Sequence, residues 1–292
     1  MNEPLPALPK KLPHFFTDIA WDILHEIDYD NVVYLSLLAT EGKRAELFEP
    51  LVDSLRKAQR AQLAANEAIT VDALCAQDYD PTTAFQDPVG QMKHIKALIE
   101  FVYHLKAALD SIAIFLNVYF SLGFAGGDRD FRKAHFKQSL KVAGQCLADF
   151  FNSESKWLEL NSTSTDSIIA TRDEWTHRNS PDVALTQPPG SSGIFPVPVD
   201  IRDKSPFTKN RSTHDFAKFH WNRYIKLFSL LLTTAIDKES ARFASVPQRP
   251  EKAQNRVSAM KTTFTKQLTV SKMKLGRFTS SALDGNAQQP VP

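Results

Sequence analysis

The sequence predicts an all-α fold: an up-and-down helical bundle with extra helices at its N-terminal side and a proline-rich insertion. Three observations predict it. Glycine is sparse and phenylalanine abundant, at 10 and 20 of 292 residues. Apolar residues make up 42% of the chain, enough for a core of ordinary size. They recur mostly at helical spacing rather than in alternation.

Taken in order, residues 14–39 carry aromatic and aliphatic side chains at helical spacing. Asp28, Tyr29, Asp30 and Asn31 are poor helix formers that divide this stretch into two short helices. Pro50 suits the first turn of a helix running on through Leu63, with the pattern beginning as early as Arg44. Asp80-Pro81 and Asp87-Pro88 are turn chemistry and mark a loop. Val89 to Leu122 is the longest regular pattern, with Ile95, Ile99, Val102, Leu109, Leu116 and Phe120 on one side. Gly126-Gly127 then starts a turn, and Phe136 to Phe151 predicts a helix packed antiparallel to the long one. A shorter helix from about Thr165 carries Ile168, Ile169 and Trp175, with Pro181 as its outer limit. Pro181, Pro188, Pro189, Gly190, Pro196, Pro198 and Pro206, between Ser180 and Thr213, predict an extended excursion with a short hairpin. A long helix resumes near His214 and runs to about Phe243. The chain thus divides into an N-terminal helical region at 1–77, a bundle at 78–245 interrupted by an irregular insertion at 181–213, and a basic tail at 246–292.

The net charge of +2 is uneven: the segment from Val246 on holds eight Lys/Arg against two acids, or +6, leaving −4 for the rest (+2 minus +6). Such a tail is either solvated and disordered or a salt-sensitive holder of an anionic partner. Cys75 and Cys146 are far apart and in no metal-ligand spacing, and both read as reduced core residues. The prolines around Lys10 and Lys11 leave no apolar run of the kind a secretory signal needs, which predicts a cytoplasmic protein. The most apolar stretch, Leu98 to Leu122, is interrupted by Glu100, His104, Lys106 and Asp110, which fits a core helix and no membrane partner.

Chemistry concentrates at Arg172-Asp173-Glu174-Trp175-Thr176-His177-Arg178. Cleaving RNA through its own 2′-hydroxyl needs a proton acceptor, a proton donor to the leaving 5′-oxygen, and positive charge beside the developing phosphorane. Histidine titrates near neutrality and arginine forks onto phosphate oxygens, so His177 and Arg172 cover two of those needs. A second His from a symmetric partner would cover the third, which favours a homodimer. Residues five apart on a helix differ by about 140°, so the helix must end or bend if both are to meet one phosphate. Asp173, four residues before His177, has helical spacing to orient the imidazole, and Arg178 adds a cation. The competing reading is a set of ordinary exposed helix pairs worth about 0.2–0.5 kcal/mol each.

Tyr103, Asp110 and Asn117 recur every seven residues and line one stripe of the long helix, either facing this motif or bonding helix to helix. His94, His104, His214 and His220 show no convincing ligand spacing, so no metal is expected. Gly126-Gly127-Asp128 lacks the Lys and Ser/Thr of a phosphate-cradling loop, and no nucleotide fingerprint or nucleophile elbow occurs, so no cofactor is expected either.

An Arg-polar-x-x-x-His motif late in a small helical bundle resembles the signature of HEPN (higher eukaryotes and prokaryotes nucleotide-binding) domains, matched here by Arg172, Asp173 and His177. The segment from Leu105 to Asn117 is similar to the long helix that precedes the motif in many members. The resemblance covers roughly Val89 to Phe243. It implies a HEPN-type bundle, catalytic Arg172 and His177, Asp173 as the polar residue that tunes the motif, and a site formed across a two-fold dimer. It also implies metal-independent endoribonuclease activity in a defence, toxin or RNA-processing role, with RNA as substrate and an antitoxin as a possible kind of protein partner. Members that have lost catalysis serve as dimerisation or binding modules, which is the alternative function. In a third reading, Arg172 and His177 only fasten the short helix to its neighbours.

Overall fold

The computed structural model of the protein describes residues 31–32, 35–36, 38–39, 42–77, 88–159, 166–177, 194–197 and 209–244. Residues 1–30, the turn at Asp80-Pro81, most of the proline-rich excursion and the basic tail lie outside them. Among the described residues the fold is mainly α-helical. The helices are α1 (Glu49–Gln77), α2 (Pro88–Tyr119), α3 (Ala134–Ser139), α4 (Gln145–Ser153), α5 (Ile168–His177) and α6 (Thr213–Ala244). One two-stranded antiparallel hairpin, β1 (Ile194–Val197) with β2 (Lys209–Ser212), pairs Ile194 with Ser212 and leads directly into α6.

The architecture follows from α2. Its apolar residues lie on several faces, and Leu98, Phe101, Leu105, Ile112 and Phe115 are fully covered. Of the expected stripe, Val102, Leu109 and Leu116 are buried, while Ile95, Ile99 and Phe120 are only partly covered. A helix apolar nearly all round must be surrounded rather than laid on a surface. On one side α1 returns antiparallel to it, longer than its sequence pattern indicates. Ser54 Oγ donates to the Ala108 carbonyl at 2.9 Å, and Phe48 meets Phe115 with ring centres 5.7 Å apart. Residues on either side of position 78 therefore share one core, which Val32 and Leu35 also join.

After α2 the chain descends along it in short pieces. Asn117 clasps Phe124, its amide donating to the carbonyl at 3.0 Å and its oxygen accepting from the N–H at 2.9 Å. Lower down, Arg172 of α5 lies over Tyr103, and at the bottom Thr213, the first residue of α6, meets His94. From there α6 climbs parallel to α2 until Tyr119 Oη donates to Glu239 Oε1 at 3.0 Å. The descending leg is not the single helix expected from Phe136 to Phe151. Gly144 sits at φ +130, a conformation closed to helix, and separates α3 and its trailing 3-10 turn from α4. Nor does this segment pair chiefly with the long helix: α4 packs on α6, where Arg223 Nε donates to Glu154 Oε2 at 2.8 Å just beyond its end. Cys146, in the first turn of α4, is exposed rather than a core residue; the side chain of Cys75 lies outside those described.

Two consequences are measurable. Leu105 is wholly buried on the surrounded helix, so Leu105→Ala should cost about 2–5 kcal/mol. The buried Tyr224 hydroxyl shares a hydrogen bond with the Ser54 hydroxyl at 2.9 Å, so Tyr224→Phe should cost about 1 kcal/mol. Urea unfolding of both variants checks the order.

His94 supplies a pH dependence. It is fully buried, with Nε2 2.9 Å from Thr213 Oγ1, and burial pulls its pKa down to about 4. The unfolded chain binds the proton near pH 6.5, before the folded chain does. Stability is therefore full above about pH 6.5 and falls toward pH 4, by on the order of 3 kcal/mol. Denaturant midpoints measured from pH 7 to 4 should show this slope, and His94→Gln should remove that component of it.

Candidate functional site

The motif helix α5 is fixed at its start. Ser167 is its N-cap: its buried hydroxyl accepts from the Ala170 N–H at 3.1 Å and donates back to the Glu159 carbonyl. Ile168, Thr171 and Trp175, at helical spacing, are buried, and the Trp175 ring lies 5.2 Å from that of Phe216 on α6. With that face inward, Arg172 and Asp173 fall on the border of the solvent-covered side, about a fifth of each side chain exposed (22% and 23%).

Three segments converge there. From α5, Arg172 Nη1 donates to Asp173 Oδ1 at 2.9 Å, and its guanidinium carbon stands 5.7 Å from the centre of the Tyr103 ring. From the turn after α2 comes Arg132, whose Nη1 is 3.9 Å from Asp173 Oδ2. Asp130 holds Arg132 in place: its buried carboxylate accepts from the Arg132 backbone N–H at 2.8 Å and from Nε at 2.6 Å. This is an Asx-type turn that also grips a side chain. From α2 itself come Tyr103, Lys106 and Asp110. Lys106 Nζ donates to both Asp110 oxygens at 2.8 Å.

Electrostatics couple Asp110 to the turn. Its carboxylate keeps an edge open to water, but its neighbourhood is mostly protein. Loss of water raises its pKa above the ordinary carboxylate value, against the pull of Lys106; Asp130 pushes the same way as burial, and Arg132 opposes. The cluster contains three cations, Lys106, Arg132 and Arg172, and three acids, Asp110, Asp130 and Asp173.

Of the residues singled out in sequence, the structure brings Arg172, Asp173 and Tyr103 together, with Asp110 one helical turn along α2 behind Lys106. Asn117 is elsewhere, closing the turn onto Phe124. The helix α5 runs on through His177, so it does not end between that residue and Arg172. The side chain of His177 and the whole of Arg178 lie outside the described residues. The Asp173 carboxylate is engaged by Arg172 and approached by Arg132. Sequence reasoning missed Arg132, Asp130 and Lys106. The available signals were Asp130-x-Arg132, a turn pattern, and Lys106 at four residues before Asp110.

The other histidines singled out in sequence do not gather. His94 meets Thr213, His104 lies against Tyr103, and His214 stands beside its neighbour Asp215. His220 accepts a bond from Trp157 Nε1 at 3.0 Å. Among the described residues no group of three His, Cys, Asp or Glu is placed to hold a metal ion, and no helix is long and apolar enough to cross a membrane. Comparison with known proteins gives no match: no family model, curated protein or solved structure is significantly similar to the chain.

Removing the Lys106 cation should push the Asp110 pKa further up, because the lysine is the strongest influence holding it down. Lys106→Met, followed by a carboxyl-carbon NMR titration, should show the Asp110 midpoint moving to higher pH.

Proposed function

We propose that the protein is a metal-independent endoribonuclease of HEPN type that works as a homodimer on cytoplasmic RNA, in a defence, toxin or RNA-processing role. The observation that supports this most is the position of Arg172. A short capped helix delivers it partly exposed, beside the exposed ring of Tyr103 and a second arginine, on the same helix whose last residue is His177. In this reading Arg172 stabilises the charge that grows on the phosphorane. His177 takes the 2′-hydroxyl proton, and the His177 of the second copy returns one to the leaving 5′-oxygen. Tyr103 offers a face for an unstacked base, which suits single-stranded RNA. The basic tail adds sequence-independent attraction for the same polyanion, and an antitoxin-like protein would act by covering the site.

One observation favours a second reading. The cluster's charges balance, three against three, and Arg172 is already held by Asp173 and Tyr103. A helical dimerisation or binding module without catalysis would need such a network only to lock α5 onto α2.

Cleavage of a mixed RNA pool in EDTA separates the two. Wild type should leave 2′,3′-cyclic phosphate ends, His177→Ala should leave none, and Arg172→Ala should be slower by about 10²–10³-fold. A wild-type preparation that binds RNA without cutting it supports the module instead; cleavage that survives His177→Ala ends the proposed mechanism.

A further inference from the structure

We infer that Arg132 and Arg172 form an oxyanion site that Asp173 fills in the free protein, and that an RNA phosphodiester binds by taking the carboxylate's place. The inference rests on the ribonuclease reading and assigns that site a built-in competitor for its substrate.

The geometry carries it. Arg132 and Arg172 belong to different segments, yet their Nη1 atoms address the two oxygens of a single carboxylate, at 3.9 and 2.9 Å. A carboxylate between two guanidinium groups has the charge and the paired oxygens of a phosphodiester. The fit is unequal: Arg172 holds its oxygen at hydrogen-bond distance, whereas Arg132 stands at the outer limit of an ion pair, too far to donate. Arg132 is nevertheless pre-aimed, because Asp130 engages its Nε at 2.6 Å and fixes the plane of the fork. The cation is thus oriented by one acid and poorly satisfied by another.

Exposure makes exchange feasible. The side chains of Arg132, Asp173 and Arg172 are 34%, 23% and 22% exposed, so a ligand reaches them and the displaced carboxylate can turn to water. An ion pair at such a surface is weak, and a bidentate phosphate contact to arginine is stronger than a single oxygen shared at the limit of range. Tyr103, 47% exposed and already against Arg172, lies where the base next to that phosphate would stack.

The test measures binding of a fluorescein-labelled, 2′-O-methylated single-stranded oligoribonucleotide to the full chain across several salt concentrations. Methylation removes the nucleophile, so binding is read apart from cleavage. Asp173→Asn, which keeps the shape and removes the charge, should tighten binding about fivefold. Arg132→Gln and Arg172→Gln should each weaken it and lower the salt slope by about one. Arg132→Lys, which keeps the charge and loses the fork, should fall between wild type and Arg132→Gln. Asp173→Asn that binds no tighter, whether because the carboxylate is purely structural or because the oligonucleotide goes elsewhere, overturns the inference, as does an Arg132→Gln without effect. Tightening by Asp173→Asn in a protein that cuts no RNA keeps the oxyanion site and removes the ribonuclease reading. His177-dependent cleavage without that tightening does the reverse.

Discussion

The structure depends on one constraint: α2 carries apolar residues on too many sides to lie at a surface. Leu98, Phe101, Leu105, Ile112 and Phe115 are fully covered, and each needs a different neighbour. The chain meets this by placing α1 on one side, laying a broken descending leg along another, and sending α6 up beside it. Stability of this kind comes from packing rather than local propensity, which is why pieces as short as α3 and α5 hold their place.

The same constraint dictates the polar cluster. A helix enclosed on most sides has nowhere to put a charged residue except at a seam between its neighbours. Lys106 is nearly buried, and a cation there persists only with a partner, which Asp110 provides one turn on. Asp110 in turn feels Asp130 and Arg132 from the turn above. Charges alternate outward from the core helix to the rim, from Lys106 through Asp110 to Arg132, Asp173 and Arg172. Ion pairs of this kind add little net stability, but they penalise any register of α5 and the turn that leaves one member unpaired.

What the sequence disclosed follows the length scale of each signal. The patterns of α2 and α6 run for 32 residues each and are legible because many positions repeat the same message. The leg between them is not, since Gly144 breaks it through a backbone conformation, and α4 and α5 pack on α6, which is remote in sequence. Cys146 shows the same limit: its type suggests the interior, and only the tertiary arrangement puts it outside. At the site, Arg172, Asp173, His177 and Asp110 stand out by residue type and spacing. Arg132 and Asp130 do not, because their relation to α5 exists only once the leg has been laid down.

Helix geometry bears on how that site would work. Positions 172 and 177 lie about 140° apart around α5, and the helix is continuous between them. Arg172 is committed to the side that meets Tyr103 and Arg132. A single copy with α5 intact therefore does not bring both residues to the same face. Two routes remain for chemistry that uses both: the last turn of α5 unwinds around His177, or the arginine of one copy works with the histidine of another. Unwinding costs little at a terminal turn, whose hydrogen bonds fray readily, but it supplies no second proton carrier. A composite site needs no such change and also supplies the second proton carrier that cleavage through a 2′-hydroxyl requires. For that chemistry a two-fold dimer with the motif helices at its interface would be the economical arrangement, because it asks for no change in the contacts among Arg132, Asp173 and Arg172.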